Sequence, residues 1–408
     1  MPAKLKDYAS VVGPDVLKEL EILAEQVQGW SVQHINSTSV GGGVAEMLTR
    51  ISPLMEELGL VSTWDQIDGN PPFFKVTKVI HNAIHGTPVE FTREMFEIYQ
   101  DHLSSQLERV SLDSDCLIIH DPQPLGLIRL KEQTKGSWIW RCHIDISSPV
   151  REVWDYLHPL VDCYDAAVFS MPEFAQELHI PQFLVFPSID PLSDKNRDLE
   201  PSRVRAVLEK HGIDPDRPVI TQISRFDRLK DPLGVIRAYE LVKKRSDCQL
   251  VLAGGGADDD PEGPIILEEV RKKASEDPDI HVLLLPPFSD LEINALVRGS
   301  TIVVQKSIGE GFGLTVAEAL WKGKPVIGSA VGGIRRQILH GVTGFLVRSV
   351  EGTAYRIRQL LNDEYMARQL GENGRVHVLN NFLLTRHLKD YVLLLLALRH
   401  PGEDMVQL

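Results

Sequence analysis

Clustered positive charge, paired cysteines and long apolar runs are scarce in this chain of 408 residues. The formal net charge is −14, which argues against a broad nucleic-acid or anionic-membrane surface, because such surfaces need clustered lysine and arginine. The four cysteines have no Cys-x-x-Cys spacing, as expected for reduced thiols. Met1 to Ser10 lacks the apolar core of a signal peptide, and Tyr391 to Leu398 is far shorter than the roughly 18 residues of a membrane span. We therefore expect a cytoplasmic protein with neither nucleic-acid nor membrane partners.

Short apolar runs alternate with helical patterns, which predicts an α/β fold with parallel sheets. The helical pattern is clearest over Val44–Leu58 and Leu383–Leu398. Strands are predicted at Val32–Ile35, Leu117–His120, Ser137–His143 and Ala166–Phe169, then at Val219–Ile223, Gln249–Ala253, His281–Leu285, Thr301–Gln305 and Pro325–Gly328. We predict an N-terminal domain at 1–188, a second domain at 189–382, and a C-terminal helix within 383–408 that crosses their junction. Ligand is expected in a cleft between the domains.

The segment Glu310 to Ala319 places two carboxylates around a glycine-framed turn that runs into a helical pattern. Gly311 and Gly313 allow backbone N–H groups to approach an anion, and the start of the helix favours negative charge. Glu310 and Glu318 are too far apart for a catalytic dyad, so we expect each to bind a different part of one ligand. The alternative is that Thr315 to Glu318 forms a capping box and merely starts a buried helix.

Gly41 to Glu46 follows the first predicted strand and opens a helix, where a phosphate-binding turn belongs. The dinucleotide fingerprint fails because Glu46 stands where glycine or alanine is required, which argues against a dehydrogenase. We interpret this segment as a mobile loop over ligand, in preference to a simple tight turn.

A basic loop follows the strand Val219–Ile223. Arg225 and Lys230 could clamp a diphosphate, the guanidinium by two parallel hydrogen bonds and the ammonium as a point charge. The alternative is a solvated loop whose basic side chains pair with Asp227 and Asp231.

Histidines at strand ends suggest either a metal site or hydrogen bonding to hydroxyl groups. His81 and His85 have i, i+4 spacing, but no HExxH motif or carboxylate partner follows, so no metal is predicted. His120 with Asp121, and His143 with Asp145, each place an imidazole and a carboxylate at a strand end. Those pairs favour the binding of a ligand with several hydroxyl groups, such as a sugar.

In this order, the motifs resemble the retaining glycosyltransferases of family four, which have the GT-B fold of two Rossmann-like, doubly wound domains facing a central cleft. The Glu-x7-Glu element at Glu310 is typical of the whole family. Several other strings resemble the branch that forms trehalose, over nearly the whole chain: His34–Ser39, Gly41–Glu46, His120–Pro124, Trp140–Asp145, Phe186–Pro191 and Ser224–Asp227.

The resemblance implies roles for individual residues. The implied catalytic residues are His143, Arg225, Lys230 and Glu310. The implied donor-binding residues are Gly42, Arg225, Lys230, Glu310, Gly311, Phe312, Gly313, Leu314, Thr315 and Glu318. The implied acceptor-binding residues are Asp121, Gln123 and Asp145. Arg225 and Lys230 would hold the donor diphosphate, Glu318 the ribose and Glu310 the donor sugar.

The implied reaction transfers glucose from a nucleoside diphosphate glucose to free glucose, with retention, giving an α,α-1,1 linkage. No obligatory cofactor is implied, and the sequence leaves Mg²⁺ dependence, the donor base and a homodimer open. A sucrose- or glycogen-type transferase of the same fold is the nearest alternative. A non-catalytic protein that binds sugar nucleotides would keep the same phosphate clamp.

Overall fold

The computed structural model describes residues 3–37, 43–106, 111–255, 263–400 and 402. Contacts divide the chain into two units, one of residues up to Pro187 together with those from Leu384, the other Ser188–Leu383. Each unit contains one six-stranded sheet whose strand pairs are parallel. The predicted pair of parallel α/β units is confirmed. The predicted boundary at 188 and 189 lies beside the division between Pro187 and Ser188.

The first sheet has the strand order β2-β1-β3-β4-β5-β6. Its strands are β1 (Ser31–Asn36), β2 (Val61–Gln66), β3 (Cys116–His120), β4 (Ser137–Cys142), β5 (Ala166–Phe169) and β6 (Gln182–Leu184). The order reverses at β1, which pairs with both β2 and β3. Doubly wound sheets bind ligands beyond the carboxyl ends of the strands at such a switch point.

Six helices accompany this sheet among the described residues. They are α1 (Ala9–Val12), α2 (Pro14–Glu25), α3 (Gly43–Glu57), α4 (Pro71–Ile84), α5 (Arg93–Ser105) and α6 (Arg151–Val161). The sequence starts α4 sharply, because Asn70 caps it by accepting the Phe73 N–H and Pro71 fits the first helical position. Trp138 and Trp140 on β4 are fully buried in the core. Truncating such a side chain costs about 3–5 kcal/mol of unfolding free energy.

The second sheet has the strand order β12-β11-β10-β7-β8-β9. Its strands are β7 (Val219–Ile223), β8 (Gln249–Gly254), β9 (Ile280–Leu284), β10 (Ile302–Gln305), β11 (Val326–Ser329) and β12 (Gly344–Val347). The accompanying helices are α7 (Pro201–Lys210), α8 (Pro232–Lys243), α9 (Gly263–Ala274), α10 (Asp290–Gly299), α11 (Leu314–Trp321), α12 (Ile334–Gln337), α13 (Val350–Asn362) and α14 (Glu364–Asn381). The order reverses between β7 and β10, which is the switch point of this sheet.

The last helix, α15 (Leu384–Arg399), belongs to the first unit, where it contacts α2 and α3. Leu388, Tyr391 and Leu395 lie on its buried side. The helical pattern predicted for Leu383–Leu398 is confirmed. Its course across the domain junction stays a prediction.

All nine predicted strands are present, with ends that differ by at most one residue. Three strands were missed, namely β2, β6 and β12, and each lies at the edge of its sheet. An edge strand has a neighbour on one side only and needs no continuous apolar run. In β6, for example, every residue is at least partly exposed.

Candidate functional site

Two loops meet at the switch point of the second sheet. The loop after β7 and the loop after β10 leave the same edge, because the two strands are parallel neighbours. The Ile308 N–H donates to the carbonyl oxygen of Leu229 over 2.6 Å and ties one loop to the other. The predicted basic loop and the predicted glutamate turn therefore lie side by side.

Lys230 and Glu310 form an ion pair at this point, although 80 positions separate them in the chain. The Nζ to Oε2 distance is 2.7 Å, and the two side chains are only 18% and 10% exposed. The Ser307 hydroxyl donates to the same Oε2 over 3.0 Å. Oε1 of Glu310 accepts no hydrogen bond within the described part of the chain. One carboxylate oxygen is thus held in place, and the other keeps its capacity to accept hydrogen bonds.

The backbone of Lys230 is held from two directions. Asp227 accepts the Lys230 N–H at 3.0 Å, and the Gln222 amide donates to the Lys230 carbonyl at 3.0 Å. Asp231 follows in the left-handed region at φ 46°, caps α8 and pairs with Lys306. The alternative that Asp227 and Asp231 neutralise this loop is thus wrong for Lys230, whose ammonium lies on Glu310.

Arg225 lies on the same loop but is not part of the ion pair. Its side chain is 54% exposed, and its guanidinium is 3.7 Å from Asp227. Solvent-exposed pairs of this length contribute little to stability. The guanidinium therefore keeps rotamer freedom, whereas Lys230 is fixed.

The turn after Glu310 is shaped by four glycines, two of which come from a loop that the sequence patterns did not indicate. Gly313 has φ 82° and Gly332 has φ 42°, both in the left-handed region. A Cβ at Gly332 would lie 1.6 Å from the carbonyl oxygen of Glu310. The Gly333 N–H donates to Gly311 O at 2.8 Å. Close backbone contact with the loop after β11 therefore holds the turn.

The capping box expected by the alternative for Thr315 to Glu318 is absent, although the helix is buried from Val316 to Trp321 as that alternative expected. Helix α11 begins at Leu314 with Gly313 as its N-cap, and no side chain caps it. Thr315 instead donates to the Gln305 amide oxygen at 3.3 Å. The first N–H groups of α11 are therefore not satisfied by a cap, as an anion-binding helix start requires.

Glu318 is buried within α11, at 2% exposure, and pairs with a different lysine. Lys195 Nζ lies 3.1 Å from its Oε1. Lys322 donates to the Asn196 amide oxygen at 2.8 Å and to the Glu318 carbonyl at 3.1 Å, which fastens the helix to the Lys195 loop. Glu310 and Glu318 thus have separate partners and do not form a dyad. No sequence pattern pointed to Lys195.

The strand-end histidines of the first unit form a chain at its switch point. His34 Nδ1 is 3.0 Å from His120 Nε2, and His120 Nδ1 is 2.9 Å from His143 Nε2. Burial lowers the pKa of His34 to about 3 and the pKa values of His120 and His143 well below 6.5. These rings are therefore neutral at physiological pH.

Asp121 follows β3 in the left-handed region, at φ 64°, which is uncommon for a residue with a side chain. Its Oδ1 accepts the backbone N–H of His143 at 2.7 Å. Burial raises the pKa of Asp121 to about 7, while this hydrogen bond and the charge of Arg141 act in the opposite direction. The carboxyl group thus joins the ends of β3 and β4.

Arg141 is a fully buried cation to which the sequence patterns assigned no role. Its Nη2 donates to the Val185 carbonyl at 2.6 Å and to the Ser170 hydroxyl at 3.3 Å. Burial lowers its pKa, while Tyr391 and Asp121 favour the charged form. Its positive charge contributes to the lowered pKa values of His120 and His143.

The other predicted acceptor residues make local contacts or none. Asp145 accepts from the N–H and hydroxyl of Ser147, at 3.0 and 2.6 Å. Gln123 has a buried Oε1 with no hydrogen-bond partner among the described residues. The structure does not join either residue to His143 or Asp121 by a hydrogen bond. Their roles stay predictions.

Gly42 lies outside the described residues. Among the residues that are described, no group of three or more potential ligands could hold a metal ion, and the rings of His81 and His85 pack at 4.8 Å. No helix in that part of the chain is both long and apolar enough to span a bilayer.

Comparison with known proteins agrees with this architecture. Residues 34–176 match the family described as trehalose synthase, N-terminal domain, and residues 205–377 match glycosyl transferases group 1. The trehalose synthase of Pyrococcus horikoshii is 44% identical over 95% of both chains.

Two solved structures share the fold at low identity. An α,α-trehalose-phosphate synthase (UDP-forming) from Burkholderia vietnamiensis has a TM-score of 0.71 at 14% identity, over 91% of this chain and 97% of that one. An Anabaena protein solved with UDP and glucose has a TM-score of 0.69 at 16% identity, over 90% of this chain and 100% of that one. The chain therefore belongs to the trehalose synthase family and is a glycosyltransferase of the GT-B fold.

Proposed function

We propose that this protein transfers glucose from a nucleoside diphosphate glucose to free glucose and forms trehalose with retention of the α configuration. The proposal rests on the cluster of Lys230, Ser307 and Glu310 at the switch point of the second sheet. In this cluster Lys230 and Ser307 both contact Oε2 of Glu310, and Oε1 keeps its capacity to accept hydrogen bonds. The family membership supports trehalose as product, and the UDP-forming Burkholderia synthase of the same fold supports a nucleotide donor.

Lys230 and Arg225 would bind the donor diphosphate. An incoming diphosphate competes with Glu310 for the Lys230 ammonium, and the exposed Arg225 side chain can close onto the other side. The uncapped N-terminus of α11 offers further N–H donors. Charge that develops on the leaving diphosphate is thereby stabilised, which is usually the largest single contribution to rate.

Glu310 would bind the donor sugar through Oε1, the oxygen that neither Lys230 nor Ser307 occupies. Gly311, Phe312 and Gly313 bring backbone groups to the same ligand. Glu318, held by Lys195, would accept hydrogen bonds from the ribose hydroxyls.

In the first unit, His143 and Asp121 would contact the reacting sugars, with Gln123 and Asp145 nearby in sequence. Retention without an enzymic nucleophile suits this site, because each glutamate has its own lysine and the two do not form the close pair of a retaining hydrolase. A leaving phosphate oxygen would take the acceptor proton on the same face. No cofactor is required by this scheme, and Mg²⁺ dependence, a homodimer and a cytoplasmic location stay open.

The proposal is tested by incubating the purified protein with glucose and ADP-, UDP- or GDP-glucose in separate reactions. We expect one donor to be preferred and the disaccharide to show a single α,α-1,1 anomeric signal by NMR. Transfer to fructose or glycogen instead of glucose would establish the alternative transferases. Donor binding without turnover would establish a non-catalytic sensor and overturn the proposal.

A further inference from the structure

Three histidines at neighbouring strands form one continuous chain of hydrogen bonds. The distances are 3.0 Å from His34 Nδ1 to His120 Nε2 and 2.9 Å from His120 Nδ1 to His143 Nε2. His34 and His120 are buried, and His143 is partly exposed. The chain thus runs from the core to the edge at which the predicted sugar-binding residues lie.

Each ring in the chain is neutral, so each carries one proton. Burial is the largest cause of the lowered pKa in all three histidines. Arg141 on β4, His387 on α15 and His34 on β1 add to the lowering at His143. Asp121 faces the same residue but accepts its backbone N–H.

The environment of His34 determines where these protons lie. Its Nε2 is buried and has no hydrogen-bond partner among the described residues. A buried N–H without an acceptor is rarer and less favourable than an unpaired acceptor, so the proton of His34 belongs on Nδ1. His120 must then accept at Nε2 and carry its proton on Nδ1. By the same rule His143 accepts at Nε2 and carries its proton on Nδ1.

We infer that His34 and His120 are positioning residues, which fix His143 as a neutral hydrogen-bond donor that presents its Nδ1–H to a sugar oxygen. Nδ1 of His143 makes no hydrogen bond within the described residues, so this donor is available to a ligand. The identity of that ligand rests on the proposed function, whereas the tautomer of His143 follows from the hydrogen bonds alone.

The chain also prevents His143 from acting as a general base. Its only lone pair in the ring plane, at Nε2, already accepts from His120. Adding a proton there would place two N–H groups against each other over 2.9 Å. His143 therefore binds and orients a sugar while proton transfer takes place elsewhere.

The first experiment measures the tautomers in the ligand-free protein by long-range ¹H–¹⁵N correlation of ¹⁵N-histidine. His143→Gln assigns the signal by its disappearance. His340 is the internal control, because its Nδ1 accepts the Leu346 N–H at 3.0 Å and its proton must lie on Nε2. We expect His143 in the Nδ1–H form, opposite to His340. A proton on Nε2 of His143, or a charged ring at pH 7, would overturn the inference.

The second experiment cuts the chain with His120→Leu. His143 Nε2 then loses its donor and becomes free to accept a proton. We expect part of the His143 population to shift to the Nε2–H tautomer, because no donor then holds Nε2 as an acceptor. A His143 ring that stays wholly in the Nδ1–H form in a folded variant would contradict a positioning role.

A pair of substitutions at His143 tests the donor itself. Asparagine places an amide near the Nδ1 position, whereas glutamine places it near Nε2. We expect His143→Asn to keep kcat within about tenfold and His143→Gln to lose about 100-fold, as removal of a transition-state donor does. Equal losses would count against the inference. Because the tautomer is read without substrate, absence of trehalose synthesis would overturn only the proposed function.

Discussion

Each sheet has a polar cluster at its switch point, but the two clusters differ in charge. The first unit uses neutral imidazoles, with His34, His120 and His143 hydrogen-bonded to one another. The second uses paired charges, in which Lys230 meets Glu310 and Lys195 meets Glu318. A neutral hydrogen-bonding edge suits a free sugar, and a charged edge suits a diphosphate.

The difference follows from the free energy of burial. An ion taken out of water needs a partner, and removing that partner leaves an uncompensated charge. A neutral imidazole needs only one donor and one acceptor. The second unit should therefore be more sensitive to the loss of one charge, and the first to the gain of one.

The largest effect is expected from neutralising the charged pair. On the proposed function, Lys230→Met would remove the ammonium from the leaving diphosphate, and Glu310→Gln would weaken the contact with the donor sugar. Each should reduce kcat by about 10³-fold. Steady-state kinetics with saturating donor measure the effect, and Lys272→Met, an exposed lysine of α9, is the control. Activity within twofold of wild type in either variant would show that the charged pair does not contribute to catalysis.

The next effect concerns the glycine that lets the Glu310 turn form. Gly332→Ala combines a left-handed backbone with a contact of 1.6 Å to Glu310 O, so we expect the unfolding free energy to fall by at least about 2 kcal/mol. Gly341 also has a left-handed φ, 79°, but no atom lies within 4 Å of the position that a Cβ would take there. Gly341→Ala should cost only about 1 kcal/mol. Urea titration measures the unfolding free energy of both variants. Equal losses of unfolding free energy would show that the backbone shifts to relieve the close contact at Gly332.

Acid should unfold the first unit before the second. His34, His120, His143 and His387 have lowered pKa values because they are buried, so the unfolded chain binds more protons below 6.5. Stability from this source is complete above 6.5 and is lost as pH falls towards 3. In the second unit, Arg217 and Lys243 hold the pKa of Asp279 below 3.8, so that contribution is lost only in stronger acid.

Tryptophan fluorescence can follow this order, since five of the six tryptophans belong to the first unit, namely Trp30, Trp64, Trp138, Trp140 and Trp154. As pH is lowered, we expect the change in tryptophan fluorescence to occur at a higher pH than the last loss of helical signal in far-UV circular dichroism. Coincident transitions would show that the two units do not differ in acid sensitivity.

The smallest effect is expected at Asp121. Its pKa is raised to about 7, so the native state binds the extra proton and wild-type stability declines as pH rises from 3.8 through 7. Asp121→Asn keeps an oxygen acceptor for the His143 N–H and carries no charge. The stability of the variant relative to wild type should be greater near pH 8 than near pH 5, as measured by urea unfolding at both values. Lower stability at pH 8 would show that the ionised carboxylate is favourable there.

Sequence patterns predicted the interior of each sheet better than its edges. Buried strands such as β3 and β5 are continuous apolar runs, whereas the missed strands β2, β6 and β12 each have a neighbour on one side only. The local pattern at Thr315 to Glu318 fits a capping box, but α11 begins at Leu314 with Gly313 as its N-cap, and the turn before it is held by Gly333. Local patterns do not include such distant contacts.

Composition, apolar periodicity and short motifs were sufficient to determine two parallel α/β units, the basic loop and the glutamate turn, because these depend on residues close together in the chain. Only the tertiary structure decided that Lys230 meets Glu310, that Lys195 meets Glu318, and that three histidines share one line of hydrogen bonds. Those contacts join residues that are far apart in sequence. Strand order and parallel register bring them together, and no local spacing encodes either one.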